Sequence, residues 1–161
     1  MSLEQDIEQI AEQERVLQFE RFDADVAWDL GGRVRGLLME RDAGATVEIQ
    51  MAGQVLFFAT TRGAVPGQTD WIRRKRNTVM RFHRSSYGVR QMLEREGQTL
   101  EGKHSLSLAD YAAHGGGFPL TLRGSGCVGS IGVSGLPQRE DHGVVVEALA
   151  RQLGVDVVRL G

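Results

Sequence analysis

Cysteine and long apolar runs are both scarce in this sequence. Of its 161 residues only 1 is cysteine, so Cys127 has no partner for an intramolecular disulfide, and a cluster of thiolate metal ligands is excluded. Apolar runs such as Val55–Ala59 are far shorter than the roughly 20 residues that a membrane-spanning helix needs. The N-terminus lacks a basic segment followed by an apolar one. The sequence therefore predicts a cytoplasmic protein without a secretory signal.

What is present fits an ordinary globular protein. Hydrophobic residues make up 41% of the chain and charged residues 25%, a typical balance for a chain that buries a core. The length fits one domain over residues 1–161. That domain begins with an amphipathic helix at about 3–17, where apolar residues recur at helical spacing between acidic ones.

Charge is distributed unevenly along the chain. Residues 1–50 hold 12 acidic and 5 basic residues, whereas residues 71–95 hold 8 basic and 1 acidic residue. Such asymmetry is typical of contact with nucleic acid, with an anionic ligand or with a second copy of the chain, and also of a solvated helix face. The formal net charge of −2 and the absence of a known nucleic-acid module argue against nucleic acid.

The hydrophobic pattern predicts an α+β fold, with about five strands in one antiparallel sheet and helices packed on it. Alternating residues at 46–51 and 54–60, joined by Ala52-Gly53, predict a hairpin. Because Val55 to Phe58 is apolar on both faces, the second of these strands is predicted to be central in the sheet. Later segments predict strands at 118–123 and 127–133, helices at about 71–82 and 85–96, helical turns at 107–113 and a helix after Pro137.

A glycine-containing turn before the last helix is the first candidate site. Val133 to His142 leads from a strand into a helix N-terminus, where free backbone N–H groups suit an anionic or carbonyl-bearing ligand. Ser134, Gly135 and Gln138 are its candidate ligand-binding residues. An efficient turn that starts a helix explains the same pattern without a ligand.

A basic helix is the second candidate. Arg73, Lys75 and Arg76 lie within one stretch, and their side chains suit a phosphate or a carboxylate. A solvated face or a subunit contact is the alternative interpretation.

Four histidines are the third group of candidates. No two of them have the i, i+4 spacing of a helical zinc site, and no metal ligand is assigned. His114 precedes the glycine triplet Gly115–Gly117, and it could act as an acid or base or bind haem iron. His142 could pair with it in space, since both lie near predicted strand ends. No catalytic triad is identifiable.

Four blocks of the sequence occur together in a known family. They are Gly53–Phe58; Trp71–Lys75 with Thr78-Val79 and Ser85-Ser86; Tyr111–Pro119; and Val133–Gln138 with Asp141-His142. The chain resembles an uncharacterised bacterial and fungal branch of the GlcG/HbpS-like family, which is also called the "heme-degrading domain" family. The four blocks occur in the same order, and the resemblance extends over about residues 17–153. The resemblance implies a profilin-like α/β/α fold with a central antiparallel sheet. It also implies self-association into dimers or larger rings, and haem or tetrapyrrole binding in some relatives. No haem-contacting residue of the family maps onto a motif here.

Three functional hypotheses follow. The first is a small-molecule-binding protein for haem or another anionic ligand. The second is an enzyme on a small carbonyl or carboxylate compound, with His114 or His142 as acid or base and Arg73 or Lys75 holding the anion. The third is an oligomeric module in which the acidic N-terminal helix meets the basic helix of a neighbouring copy. The candidate ligand-binding residues are Arg73, Lys75, Arg76, His114, Gly115, Gly116, Ser134, Gly135, Gln138 and His142.

Overall fold

The computed structural model describes residues 1–161 and contains six helices and four strands. In chain order they are α1 (Leu3–Val16), α2 (Ala24–Glu40), β1 (Thr46–Met51), β2 (Gln54–Thr60), α3 (Gly67–Phe82), α4 (Ser86–Glu96), α5 (Leu100–His104), β3 (Gly117–Leu122), β4 (Gly126–Ser134) and α6 (Gln138–Leu153). Ser2, Asp23 and Ser85 cap the N-termini of α1, α2 and α4 with their side chains. No helix is both long enough and apolar enough to cross a membrane.

The four strands form one antiparallel sheet in the order β2-β1-β4-β3. The β1–β2 hairpin turns through Ala52 and Gly53, which both have positive φ. Alternate residues such as Val47 and Ile131 are completely or almost completely buried on one face of the sheet, within a core of 24 residues. Helices α2 and α6 cover that apolar face.

Helix α3 covers the opposite face, so the molecule has the predicted helix, sheet and helix layers. The approach of α3 depends on a small residue, because a Cβ at Gly132 would lie 2.9 Å from the Ile72 side chain. Helix α4 packs beside α3 and carries α1 on its outer side. The carboxyl end of β4, the loop before β3 and the start of α6 therefore meet near the N-terminal half of α3.

Two details differ from the sequence prediction. The sheet has four strands. Where a fifth strand could pair with β3, there is only a single parallel bridge between Phe19 and Leu122. Strand β2 lies at the edge of the sheet, so its predicted central position was wrong. Phe57 is buried against α2, whereas Val55 and Phe58 remain 49% and 48% exposed because no helix covers their side of this strand. Segment 107–113 forms turns without a helix, and the short helix α5 lies in a stretch for which no element was predicted.

Candidate ligand-binding site

The glycine triplet before β3 forms a loop that is held between α4 and α6. The N–H of Gly115 donates to Oε1 of Gln138 at 3.1 Å, and the N–H of Gly117 donates to the Ser86 hydroxyl at 2.9 Å. A Cβ at Gly115 would overlap the Gln138 carbonyl, and Gly116 has a φ of +128° that side chains rarely adopt. The loop therefore needs glycine in order to pack this closely.

A buried ion pair lies against this loop. Nζ of Lys75 donates to the Val133 carbonyl at 2.9 Å and to Oδ2 of Asp141 at 3.3 Å. Oδ1 of Asp141 accepts from the N–H of Leu136 at 2.9 Å. A Cβ at Gly116 would lie 2.7 Å from Nζ. The pair thus joins α3, β4 and α6 at one point, and its two side chains are only 4% and 2% exposed.

Burial works against both charges of this pair. It raises the pKa of Asp141 to about 6, against the opposing effects of Lys75 and the backbone N–H groups. Burial also lowers the pKa of Lys75, again against the attraction of its partner. Desolvation disfavours the charged form of each group. The pair is therefore suited to passing a proton between its members and to acid or base chemistry.

A cleft of about 380 Å³ opens over the ion pair, and we call it the glycine-turn cleft. It is lined by Val65, Gly67, Gln68, Trp71, Lys75, His114, Ser134, Gly135, Leu136, Gln138 and Asp141. The His114 ring meets Trp71 edge to face, with 5.1 Å between ring centroids. His114 also lines a second cleft of about 350 Å³, the α4–α5 cleft, together with Arg90 and apolar residues such as Leu93.

The imidazole ring of His114 has no hydrogen-bond partner within the chain. Neither of its ring nitrogens is bonded to another residue, although its carbonyl accepts from Ser86. Burial lowers the pKa of His114, and the positive charges of Arg90, Lys75 and Arg74 lower it further. Arg90 forms no ion pair within the chain. The ring is therefore a neutral imidazole in positively charged surroundings, which favour an anion.

The structure brings most of the predicted site residues together. Lys75, His114, Ser134, Gly135 and Gln138 line the glycine-turn cleft, and Gly115 and Gly116 form the loop beside it. Two predicted basic residues lie outside that cleft. Arg73 bonds to Asp70, Asp110 and the Ala109 carbonyl at the surface, and Arg76 pairs with Glu48.

His142 is separated from His114 and does not share a cleft with it. It is 1% exposed, its ring lies near those of Tyr87 and Phe118, and its Nε2 is 2.7 Å from Oε1 of Gln13. Burial lowers its pKa to about 3, so the ring stays neutral. Its Nδ1 is buried without a partner. This position gives His142 no route to the ligand space around His114.

The groove beside His142 is larger, at about 480 Å³, but three of its four arginines are already paired with carboxylates. Arg151 and Arg159 both bond to Glu147, and Arg139 bonds to Asp6. Volume alone therefore does not make it the better candidate for an anion.

Sequence reasoning missed three residues of the site. Asp141 stood within a quoted motif, yet nothing in its spacing showed that it would pair with Lys75, which lies 66 residues earlier. Trp71 was assigned only to a helix face. Arg90 had no local signal, because its place beside His114 depends on how α4 packs.

The acidic and basic segments meet within one chain. Glu14 of α1 bonds to Arg84, and Asp6 bonds to Arg139. Glu4 of the same helix reaches Arg95. Three acidic side chains of α1 are therefore paired within the molecule, two of them with arginines of the basic segment.

Comparison with known proteins identifies the family of this chain. Residues 22–150 match the family described as "Haem degrading protein HbpS-like". A UPF0303 protein of Azotobacter vinelandii is 51% identical over 153 residues, covering 95% of this chain and 92% of that protein. A UPF0303 protein of Rhizobium meliloti is 48% identical over 156 residues, covering 97% and 95%. The chain therefore belongs to the HbpS-like family, as its sequence motifs predicted.

Solved structures share the fold. The Ybr137w protein has a TM-score of 0.85 and 27% identity, covering 94% of this chain and 90% of that one. HbpS has a TM-score of 0.65 and 21% identity, with coverages of 85% and 93%. PduOC, solved as a complex with heme, has a TM-score of 0.69 and 18% identity, with coverages of 87% and 99%. The predicted fold class is confirmed.

Proposed function

We propose that this protein binds a small anionic molecule around His114, in the glycine-turn cleft and the adjoining α4–α5 cleft. The observation that carries the proposal is the His114 ring itself. It has no partner within the chain, lies between two clefts and is surrounded by the charges of Arg90, Lys75 and Arg74. Clefts of a few hundred Å³ with a few converging polar groups are typical small-molecule sites.

Haem is the first ligand to test, and the residues around His114 fit it. A neutral imidazole can bind iron, and the lowered pKa keeps His114 neutral. Arg90 would hold a propionate, while Trp71 and Leu93 offer apolar contact on either side. The structural neighbour PduOC forms a complex with heme, which supports haem as the probe.

A haemin titration followed by absorbance tests this proposal. The wild-type chain should shift the Soret band with saturation at one haemin per chain. His114→Ala should abolish that shift, because it removes the iron ligand. His104→Ala is the matched control, since His104 packs on Phe82 and lines neither cleft.

An unchanged shift in His114→Ala would contradict the assignment of the site. If wild type gives no shift, haem is not the ligand. Native mass spectrometry of the purified protein would then test the anion itself, by reading any small acid that remains bound.

An enzyme is the second candidate, and the Lys75–Asp141 pair favours it. Perturbed titrating groups at the floor of a cleft are typical of catalytic sites. A screen of small carbonyl and carboxylate metabolites should then show turnover that Asp141→Asn abolishes. Turnover that persists in this variant would remove the pair from the mechanism.

We also propose self-association, through a surface other than the predicted pairing of α1 with α3. Val55 and Phe58 are half exposed on one face of the edge strand β2, and Trp28 of α2, which packs on Phe57 of the other face, is 69% exposed. Light scattering should show an oligomer that Phe58→Glu reduces to a smaller species. A wild-type monomer would contradict the proposal.

A further inference from the structure

Lysine is rare in this chain. Only two of its 19 basic side chains are lysine, Lys75 and Lys103, and the rest are arginine. Lys103 is a surface residue paired with Glu96, whereas Lys75 lies at the floor of the glycine-turn cleft. An arginine keeps its charge at all relevant pH values, but a buried lysine can lose its proton and become a nucleophile.

The contacts of Lys75 leave part of its amine unused. An ammonium group has three N–H donors, and two of them bond to the Val133 carbonyl and to Asp141. The third has no partner in the chain. When a proton passes from Nζ to the carboxylate 3.3 Å away, Nζ gains a lone pair beside a carboxylic acid. An amine next to a positioned acid is the arrangement that captures a carbonyl group.

We propose that Lys75 captures the carbonyl carbon of a small oxo acid as a Schiff base, with Asp141 relaying the protons. This inference rests on the proposed function, because it uses the same cleft and the same anionic ligand. The carboxylate of the oxo acid would lie toward His114, which lines the same cleft and also borders the α4–α5 cleft that contains Arg90.

The reaction balances without any oxidant or metal. The Lys75 ammonium first gives a proton to the Asp141 carboxylate, and the neutral amine attacks the carbonyl carbon. A C–N bond forms as the carbonyl π electrons move to oxygen, which takes the proton back from Asp141. The nitrogen of this carbinolamine then loses a proton to Asp141. Asp141 returns that proton to the hydroxyl, which leaves as water while the protonated imine forms.

The neighbouring Gly116 leaves room beside the Lys75 amine. A Cβ at Gly116 would come within 2.7 Å of Nζ, so this position has no side chain that competes for the amine. The cleft volume of about 380 Å³ is more than a three-carbon oxo acid needs. Pyruvate is therefore a suitable probe.

Reductive trapping tests the proposal on the whole protein. The chain is incubated with pyruvate and sodium cyanoborohydride, which reduces an imine to a stable secondary amine. Peptide mapping by mass spectrometry then compares labelling at Lys75 with labelling at Lys103 and the α-amino group. We expect Lys75 to react first and fastest near neutral pH.

Variants show which groups carry the reaction. Lys75→Arg should remove the fast label, and Lys103→Arg should leave it unchanged. Asp141→Asn should slow trapping by about 100-fold, the lower end of what a positioned acid or base contributes. Circular dichroism of each variant shows whether it folds, and the wild-type map is decisive without any variant.

Two results would overturn the inference. One is a wild-type map in which Lys103 or the α-amino group is labelled faster than Lys75. The other is a folded Asp141→Asn variant that traps pyruvate at the wild-type rate. Either result together with His114-dependent haemin binding would leave the proposed function intact and remove only the Schiff base. Absence of haemin binding together with rapid labelling at Lys75 would remove haem as the ligand and leave the Schiff base intact.

Discussion

Two groups of buried polar side chains join α6 to the rest of the molecule, and they differ in how well their charges are paired. In the first, which we call the α1 clamp, both oxygens of Asp6 accept from Arg139, at 2.7 and 3.0 Å, and Gln91 adds a third bond at 3.1 Å. In the second, Asp141 has one contact of 3.3 Å to Lys75 beneath an open cleft.

The pKa values of the two aspartates move in opposite directions. Hydrogen bonding to Arg139 lowers the pKa of Asp6, whereas burial raises that of Asp141 to about 6. The bidentate arginine outweighs the desolvation of Asp6, whereas Lys75 and the backbone N–H groups do not outweigh the desolvation of Asp141, which is more deeply buried. The α1 clamp therefore stabilises the fold, while the cleft pair keeps buried charges at a cost to stability. Such a cost is typical of groups that are retained for function.

The largest expected effect is on the cleft pair. Asp141→Ala should lower the free energy of unfolding by about 3–5 kcal/mol, because it leaves the Lys75 charge buried and unpaired. The double variant Lys75→Met, Asp141→Leu should stay within about 1 kcal/mol of wild type or exceed it. Urea denaturation measures both. A double variant as unstable as Asp141→Ala would show that the pair itself stabilises the fold.

The dependence of stability on pH should separate Asp141 from His142. Asp141 binds its proton more tightly in the folded than in the unfolded chain. Its contribution to the free energy of unfolding is therefore complete below its unfolded pKa of 3.8 and is lost as the pH rises through 6. Burial lowers the pKa of His142 from 6.5 to about 3. Its contribution is complete above 6.5 and is lost as the pH falls toward 3. The two effects oppose each other between about pH 4 and 6.

Replacing either residue should reveal the effect of the other on stability between about pH 4 and 6. Relative to wild type, Asp141→Asn should lose stability more steeply on acidification, by about 1.4 kcal/mol per pH unit. His142→Gln should lose stability on acidification less steeply than wild type, by a similar amount per pH unit. Denaturation midpoints at several pH values give both slopes. Equal slopes in the two variants would contradict the assignments.

Breaking the α1 clamp should have a smaller effect and no consequence for ligands. Asp6→Ala removes three hydrogen bonds, two of them to a charged guanidinium, and should cost about 2 kcal/mol in the free energy of unfolding. Haemin affinity and labelling of Lys75 should remain at wild-type values. A loss of ligand binding in a folded variant would connect the clamp to the site.

The smallest effect is expected at Arg73, which bonds to Asp70 and Asp110 on the surface. Exposed ion pairs contribute little to stability. Arg73→Ala should therefore leave the melting temperature and the haemin affinity unchanged, whereas Arg90→Ala should weaken haemin binding. Equal effects of the two variants would place the anion on the other side of α3.

Local patterns predicted most of the fold, because helical and alternating spacings of apolar residues are local signals. The amphipathic helix at about 3–17 and the Ala52-Gly53 turn are examples. The edge position of β2 could not be predicted, since an apolar strand looks the same whether or not a helix covers its second face. For the candidate site, the glycine-rich turns marked loops that border the glycine-turn cleft. The partner of Lys75 and the separation of the histidines depend on contacts between distant segments.

Hydrogen exchange with and without haemin tests most directly whether the ligand binds at the glycine-turn cleft rather than in the groove beside His142. We predict slower exchange at residues 113–117 and 134–138, with no change at 10–16 and 142–147, and loss of the slowing in His114→Ala. Slowing confined to 10–16 and 142–147 would contradict it, because the ligand would then occupy the groove beside His142.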